Sequence, residues 1–437
     1  MAAEVLPAEE AAKGGAAATL APAERFRILI AAGAVMLLVQ FALPAGPFLG
    51  FPLLFFLKNR LHLTAQQLSI FNLVTAIPLF LSFAFGFLRD RISPGGGRDR
   101  ALLVVSGLAT AGLFAGEALL PPGYMALLGG VFLLNAGVQV AWGATQGLSS
   151  ELAHEHAMPG QTSTAIGLSG LVPGILAFAL GGMLADVLEG WSGVLAARIL
   201  FSCGGALMLA VAAFSALGPR RLFPKAPPMA EHAHSPWDDV VRLAKHKPIY
   251  APLIIQLLWQ FAPAGGVALQ YHLANKLHAS DSQVGFWYAA FYALVLPSMA
   301  AYGWLCQRIR LRSLLFWGTL VAVPQWAPIL FAHDMTGAYL ATIPIGLVAS
   351  VPQVAFMDVT IRACPPRLQG TMMMLLWSMF WIAGRVGDVW GAWLYDQKGG
   401  FTTAAWATVA VYALILPMLL FIPRRLTATM DGEAIAA

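Results

Sequence analysis

Apolar stretches long enough to cross a bilayer recur along the chain, at roughly 28–57, 65–88, 101–121, 124–148, 163–188, 194–218, 249–275, 283–305, 313–333, 336–361, 369–395 and 401–423. A helix rises about 1.5 Å per residue, so about 20 apolar residues span a hydrocarbon core. Each stretch therefore predicts one transmembrane helix. Short turns separate them, clearest at Pro121-Pro122-Gly123, Glu189-Gly190 and Lys398-Gly399-Gly400. The one long polar insertion, 219–248, carries Arg220, Arg221, Lys225, Arg242, Lys245 and Lys247 and divides the spans six and six. The pattern predicts an all-α membrane protein of twelve transmembrane helices in two pseudo-symmetric six-helix bundles. The expected organisation is a disordered cytoplasmic tail over 1–24, a first bundle over 25–218, a cytoplasmic linker over 219–248, a second bundle over 249–423 and a tail over 424–437.

Two echoes support duplication. Leu37-Leu38-Val39-Gln40-Phe41-Ala42-Leu43-Pro44-Ala45-Gly46 returns as Leu257-Leu258-Trp259-Gln260-Phe261-Ala262-Pro263-Ala264-Gly265, with one residue deleted. Gly86-Phe87-Leu88-Arg89-Asp90-Arg91 returns as Gly303-Trp304-Leu305-Cys306-Gln307-Arg308. An amide, a proline and a glycine are expensive in a lipid-facing helix. Their recurrence at one depth in each half predicts a working site where the halves meet.

Composition removes the soluble alternative. The chain is 59% hydrophobic and 11% charged, with a mean hydropathy of +0.72, whereas a soluble domain is about 25% charged. A net charge of +5 points to nucleic acid only until the basic residues are assigned to sides. Twenty Lys and Arg then fall on one side and only Lys58, Arg60, Lys276 and Lys398 on the other. The positive-inside rule puts both termini in the cytoplasm, of a bacterial inner membrane on this reading. Residues 1–24 lack the basic start and unbroken apolar run of a signal peptide. Cys203, Cys306 and Cys364 are scattered and read as free thiols. His154-Glu155-His156 has no further ligands, and no P-loop is present. Neither a metal, a cofactor nor an enzymatic activity is expected. The expected partners are a small-molecule substrate, protons and the lipid bilayer, with no nucleic acid, and the protein is read as a monomer.

Gly86, Asp90, Arg91 and Arg98 lie in the turn after the second span. Gly86 permits close helix approach, and Asp90 can pair with an arginine or a neighbouring helix end, so that the cluster latches one conformation. Arg308 is its counterpart in the second half, where Gln307 replaces the acid and weakens any latch. The alternative is an ordinary positive-inside loop.

Gln40 and Gln260, beside helix-bending prolines, are candidate ligand contacts or interhelical glue. Trp377, Gln139 and Gln353 add an aromatic face and further amides for a planar ligand. Arg385 and Asp388 stand at i,i+3 on the eleventh span. There an arginine can take an anionic group and the acid a proton, or the two can close into a structural pair. Asp358, four residues before Arg362, is a second proton-coupling candidate or a helix-surface ion pair.

The Gly86-to-Arg91 loop resembles the signature loop of the major facilitator superfamily. Phe71-Asn72, Ala76-Ile77-Pro78, Leu258-Trp259-Gln260 with Pro263, Asn275-Lys276-Leu277, Phe356 and Cys364-Pro365-Pro366 resemble the folate–biopterin transporter family within it. That resemblance covers roughly residues 30–395. One departure is the fourth span, where Gln139 to Gln146 contains no acid although members of that family tend to carry acids there. The resemblance implies the major facilitator fold and alternating access by two six-helix halves. It also implies a folate- or pteridine-like aromatic anion as substrate, with proton symport. A carrier of another solute, such as a siderophore or muropeptide fragment, and a non-transporting membrane assembly factor are the alternatives.

Overall fold

Every predicted span is helical. In chain order the helices are α1 (Pro22–Ala42), α2 (Pro47–Phe55), α3 (Ala65–Phe80), α4 (Ser82–Arg91), α5 (Arg98–Leu119), α6 (Tyr124–Glu155), α7 (Pro159–Glu189), α8 (Gly193–Leu217), α9 (Pro236–Lys245), α10 (Tyr250–Gln260), α11 (Val267–Tyr271), α12 (Asp281–Leu305), α13 (Leu311–Ala322), α14 (Met335–Ala363), α15 (Gln369–Gln397), α16 (Phe401–Met418) and α17 (Arg424–Thr427). The computed structural model describes residues 20–92, 98–189, 193–219, 222–223 and 236–433. The predicted tail as far as residue 19 and residues 220–221 and 224–235 of the predicted linker lie outside them.

Among the described residues, ten helical segments are long and apolar enough to cross a membrane. The remaining two of the twelve spans are the seventh, broken into α10 and α11, and the eleventh, α15, which carries Arg385, Asp388 and four tryptophans. Large apolar side chains such as Leu119, Met125, Leu217 and Val389 point outward, where lipid is the solvent. Helix association in lipid gains nothing from apolar burial itself and relies on close packing by small residues. Accordingly α5 packs along α8, with Gly107 against Ala212 and the Met208 carbonyl, and Gly204 against the Phe114 ring.

The duplication is written into the backbone. Helix α1 ends at Ala42 and α2 begins at Pro47, while α10 ends at Gln260 and α11 begins at Val267. Both interruptions fall on the repeated proline element, because proline removes a backbone donor and clashes with the preceding turn. In the first half the Asn135 side chain accepts the free Ala45 N–H at 3.1 Å, and in the second the Thr408 hydroxyl accepts Ala264 N–H at 2.9 Å. His62 and His278 both take left-handed backbone, φ 50° and 54°. Two residues after each, a capping box starts the next helix: Thr64 with Gln67, and Ser280 with Gln283. Reciprocal caps of this kind are worth about 1 kcal/mol each. Ala157 and Arg367, φ 50° and 70°, mark equivalent turns before α7 and α15.

The halves meet along two seams, α7 against α12 and α4 against α15. One end of the bundle carries the start of α1, the end of α16 and the turns after α4, α6, α12 and α14. We call it the termini end. The segment after Arg425, read from sequence as a loose tail, departs from that expectation. It forms α17, and Asp431 is buried at this end, with Asp431 N–H donating to the Cys306 carbonyl at 3.0 Å and Gly432 N–H to that of Ala157 at 2.7 Å. No hydrophobic period announces this segment, because polar hydrogen bonds dock it.

Candidate functional site

At the termini end of the first seam, Gly86 lies so close to α15 that a Cβ there would collide with the Gly370 carbonyl. That approach delivers Asp90 to the first turn of α15, whose N–H groups have no intrahelical partners. Asp90 accepts hydrogen bonds from Gly370 N–H at 3.1 Å, Thr371 N–H at 2.7 Å and the Thr371 hydroxyl at 2.7 Å. The helix dipole adds to this capture of a carboxylate. Arg89, fully buried, binds Asp99 through two hydrogen bonds of 2.6 Å and reaches Asp90 at 2.8 Å and Glu151 at 3.1 Å. Arg98 also pairs with Glu151.

Arg91 turns instead to Asp239 of α9 at 2.6 Å, tying the linker helix to this end. Arg308 stacks over the Trp304 ring, 3.8 Å from its centroid, and stands outside the cluster. Sequence reading missed Arg89, Asp99, Glu151 and Thr371 as participants. A cation flanked by acids ten residues on was the available signal.

At the second seam, Asp358 is buried and is not the helix-surface pair that its spacing allowed. It accepts hydrogen bonds from Tyr302 Oη at 2.8 Å and Arg362 Nε at 2.7 Å. Arg362 continues to the Thr429 hydroxyl at 2.8 Å and to Asp431 at 3.2 Å.

Three of the predicted ligand amides, Gln260, Gln353 and Gln139, pair with protein neighbours. Gln260 Nε2 donates to Gln353 Oε1 at 2.9 Å, joining α10 and α14. Gln139 accepts from the Ser82 hydroxyl at 3.2 Å. Gln40 is half-buried opposite Gly170 of α7. Trp377 meets Trp142 edge-on, with centroids 5.5 Å apart across the interface of the halves. Gln146 of α6 and Gln256 of α10, one amide from each half, are buried with no hydrogen-bond partner among the described residues.

Arg385 and Asp388 face different neighbours. Asp388 lies so near Gly266 that a side chain there would collide with it. It thereby stands against the start of α11, the resumed half of the broken seventh span. Arg385 lines a cavity of about 400 Å³ with Trp381, Asn72, Thr75 and the interrupted segment Pro44 to Pro47. No salt bridge closes between Arg385 and Asp388 among the described residues. A cation with no salt bridge among the described residues, on a cavity shared by the two halves, is chemically suited to hold an anionic group.

The BT1 family model matches residues 46–327. The folate–biopterin transporter of Synechocystis sp. is 25% identical over 392 residues, covering 84% of this chain and 75% of that protein. Among solved structures, the human organic anion transporter MFSD10 (TETRAN) superposes with a TM-score of 0.66 at 16% identity, over 92% of this chain and 100% of that one. The fucose:proton symporter FucP of E. coli gives a TM-score of 0.70 at 17% identity, over 92% of this chain and 98% of that one.

Proposed function

This chain belongs to the BT1 family and is a transporter of the major facilitator type, and from that premise we propose that it carries a folate- or pteridine-like aromatic anion by alternating access. The observation that carries the reading is Arg385, a cation without a salt-bridge partner among the described residues, on the cavity between the α1–α2 break and α15. In this reading Arg385 takes the carboxylate or other anionic group. Trp381, on the same wall, and Trp377 offer π faces to the ring, and Gln40, Gln146 and Gln256 offer amides. The folate–biopterin transporter to which the chain is similar supports the substrate class.

Two duplicated halves that meet at Gly86 and at the polar contacts of Asp90 and Asp431 support the alternating-access reading. Proton symport rests on Asp358 of α14 and Asp388 of α15, carboxylates carried on spanning helices, where ionisable side chains commonly serve ion pathways. Orientation with both termini in the cytoplasm rests on the charge asymmetry of the loops. The site residues are untouched by catalysis in this scheme; they bind and release.

A thermal-shift titration of the purified protein tests the substrate class. Folate or a pterin carboxylate is expected to raise the Tm with saturable dose dependence, and the neutral parent pterin to do so only at higher concentration. A panel in which these compounds leave the Tm unchanged while other anions raise it removes the pteridine reading.

A further inference from the structure

The second half of the duplication lacks its latch acid: Gln307 stands where the first half has Asp90. Gln307 is exposed, and its Nε2 donates to the Gly303 carbonyl of the adjoining helix at 2.7 Å. The helix that such an acid would cap is nevertheless capped. Asp431 accepts Gly160 N–H at 3.0 Å and Gln161 N–H at 2.8 Å in the first turn of α7. Gly160 and Gln161 are the duplication counterparts of Gly370 and Thr371, whose N–H groups Asp90 accepts. The preceding left-handed residues, Ala157 and Arg367, correspond in the same way.

The tail carboxylate also contacts the opposite half. Arg362 of α14 donates to it at 3.2 Å, and the Cys306 thiol lies 3.6 Å away. One oxygen pair therefore bridges α7 of the first half to α12 and α14 of the second. Asp90 bridges α4 to α15 with the same chemistry at the other seam.

We propose that Asp431 is the missing latch of the second half, so that the C-terminal segment pins the α7–α12 seam shut at the termini end and its release licenses opening there. The geometry shows a carboxylate supplied from a distant part of the chain to the helix end that pseudo-symmetry requires to be capped. In this scheme the segment acts as a strap whose docking sets the ratio of closed to open states. Whatever engages or displaces it sets the transport rate. The inference rests on the rocking of the two halves proposed above, and not on the identity of the substrate.

Spin labels at Glu155→Cys and Arg310→Cys, exposed positions in opposite halves, report the opening of this end by distance distribution. The background replaces Cys203, Cys306 and Cys364 by serine, and the protein is in lipid nanodiscs without substrate. Asp431→Ala and truncation after Thr427 are each expected to raise the ratio of long to short distances about tenfold, the scale of one to two hydrogen bonds. Adding Gln307→Asp to Asp431→Ala is expected to restore the short distances by placing the acid at the position that corresponds to Asp90. A distribution that neither variant moves, or one that Gln307→Asp leaves open, overturns the proposal. Because no substrate is present, this outcome is separate from success or failure of the pteridine reading.

Discussion

Asp90 holds Thr371 twice, through its backbone N–H and its hydroxyl, each at 2.7 Å, across the boundary between the halves. A carboxylate that takes three donors from one helix terminus is a specific closure device, because each donor loses its partner when the seam parts. Replacing Asp90 with alanine is expected to shift the equilibrium toward the state open at the termini end by about tenfold, near 1.4 kcal/mol. Thr371→Val, which keeps the backbone donor, is expected to give a smaller shift. Distance distributions across this seam read the order of the two effects.

Gly86 supplies the approach that makes this contact possible. Gly86→Ala places a methyl group against the Gly370 carbonyl, and overpacking of this kind costs about 1–3 kcal/mol. Transport is expected to fall several-fold with the halves held apart. Gly112→Ala on α5, where nothing lies within 4 Å, is expected to transport as the wild type does. Initial uptake rates of the two variants at equal membrane abundance check the contrast.

Arg385 forms no salt bridge among the described residues, so its removal costs the fold little. Arg385→Ala is expected to change the unfolding free energy by no more than about 0.5 kcal/mol. It is expected to weaken binding of an anionic substrate by about 10- to 100-fold, the scale of a hydrogen bond to a charged group. Asp388→Leu, which enlarges the side chain packed against Gly266 at the start of α11, is expected to lower thermal stability as well. Paired melting and binding curves separate the two roles.

The C-terminal strap carries a pH dependence. Burial, reinforced by the neighbouring Asp358, pushes the Asp431 carboxyl up from its ordinary 3.8 to about 7, against the opposing pull of Arg362 and the Gly160 and Gln161 amides. Tyr302 and Cys306 also face this cluster, and Arg25 lies beside Gly432. A docked carboxyl with the higher pKa binds the proton that a free one has lost. Docking is thus strongest below about pH 4, weakens as pH rises towards 7 and levels off above it. Hydrogen exchange of 424–433 is expected to be faster at pH 8 than at pH 5.5, after correction for the intrinsic rate.

Much of this architecture is legible in the sequence because lipid imposes long apolar runs, and duplication repeats them. The Gln-Phe-Ala-Pro element marks both helix breaks correctly because proline acts locally. What escapes the sequence is the choice among partners. Asp388 lies three residues from Arg385, yet it packs against Gly266 at the break of the seventh span, a neighbour that no spacing rule includes. Asp358 and Arg362 have the spacing of a surface pair but are buried, since α14 is covered by neighbours on that face. Asp431 sits in a short Ala-rich segment without periodicity, and only the folded chain brings it to α7. The paired capping boxes at Thr64 and Ser280 were readable, being local, but each looks ordinary until the other is seen.

The most direct test is uptake of labelled folate into proteoliposomes that contain the purified protein, with an imposed proton gradient. The account predicts accumulation above empty liposomes, loss of that accumulation when a protonophore collapses the gradient, and at least a tenfold fall in apparent affinity in Arg385→Ala, the lower end of the range for one charged hydrogen bond. Uptake no greater than that of empty liposomes, or an Arg385→Ala variant that transports as the wild type does, would contradict it.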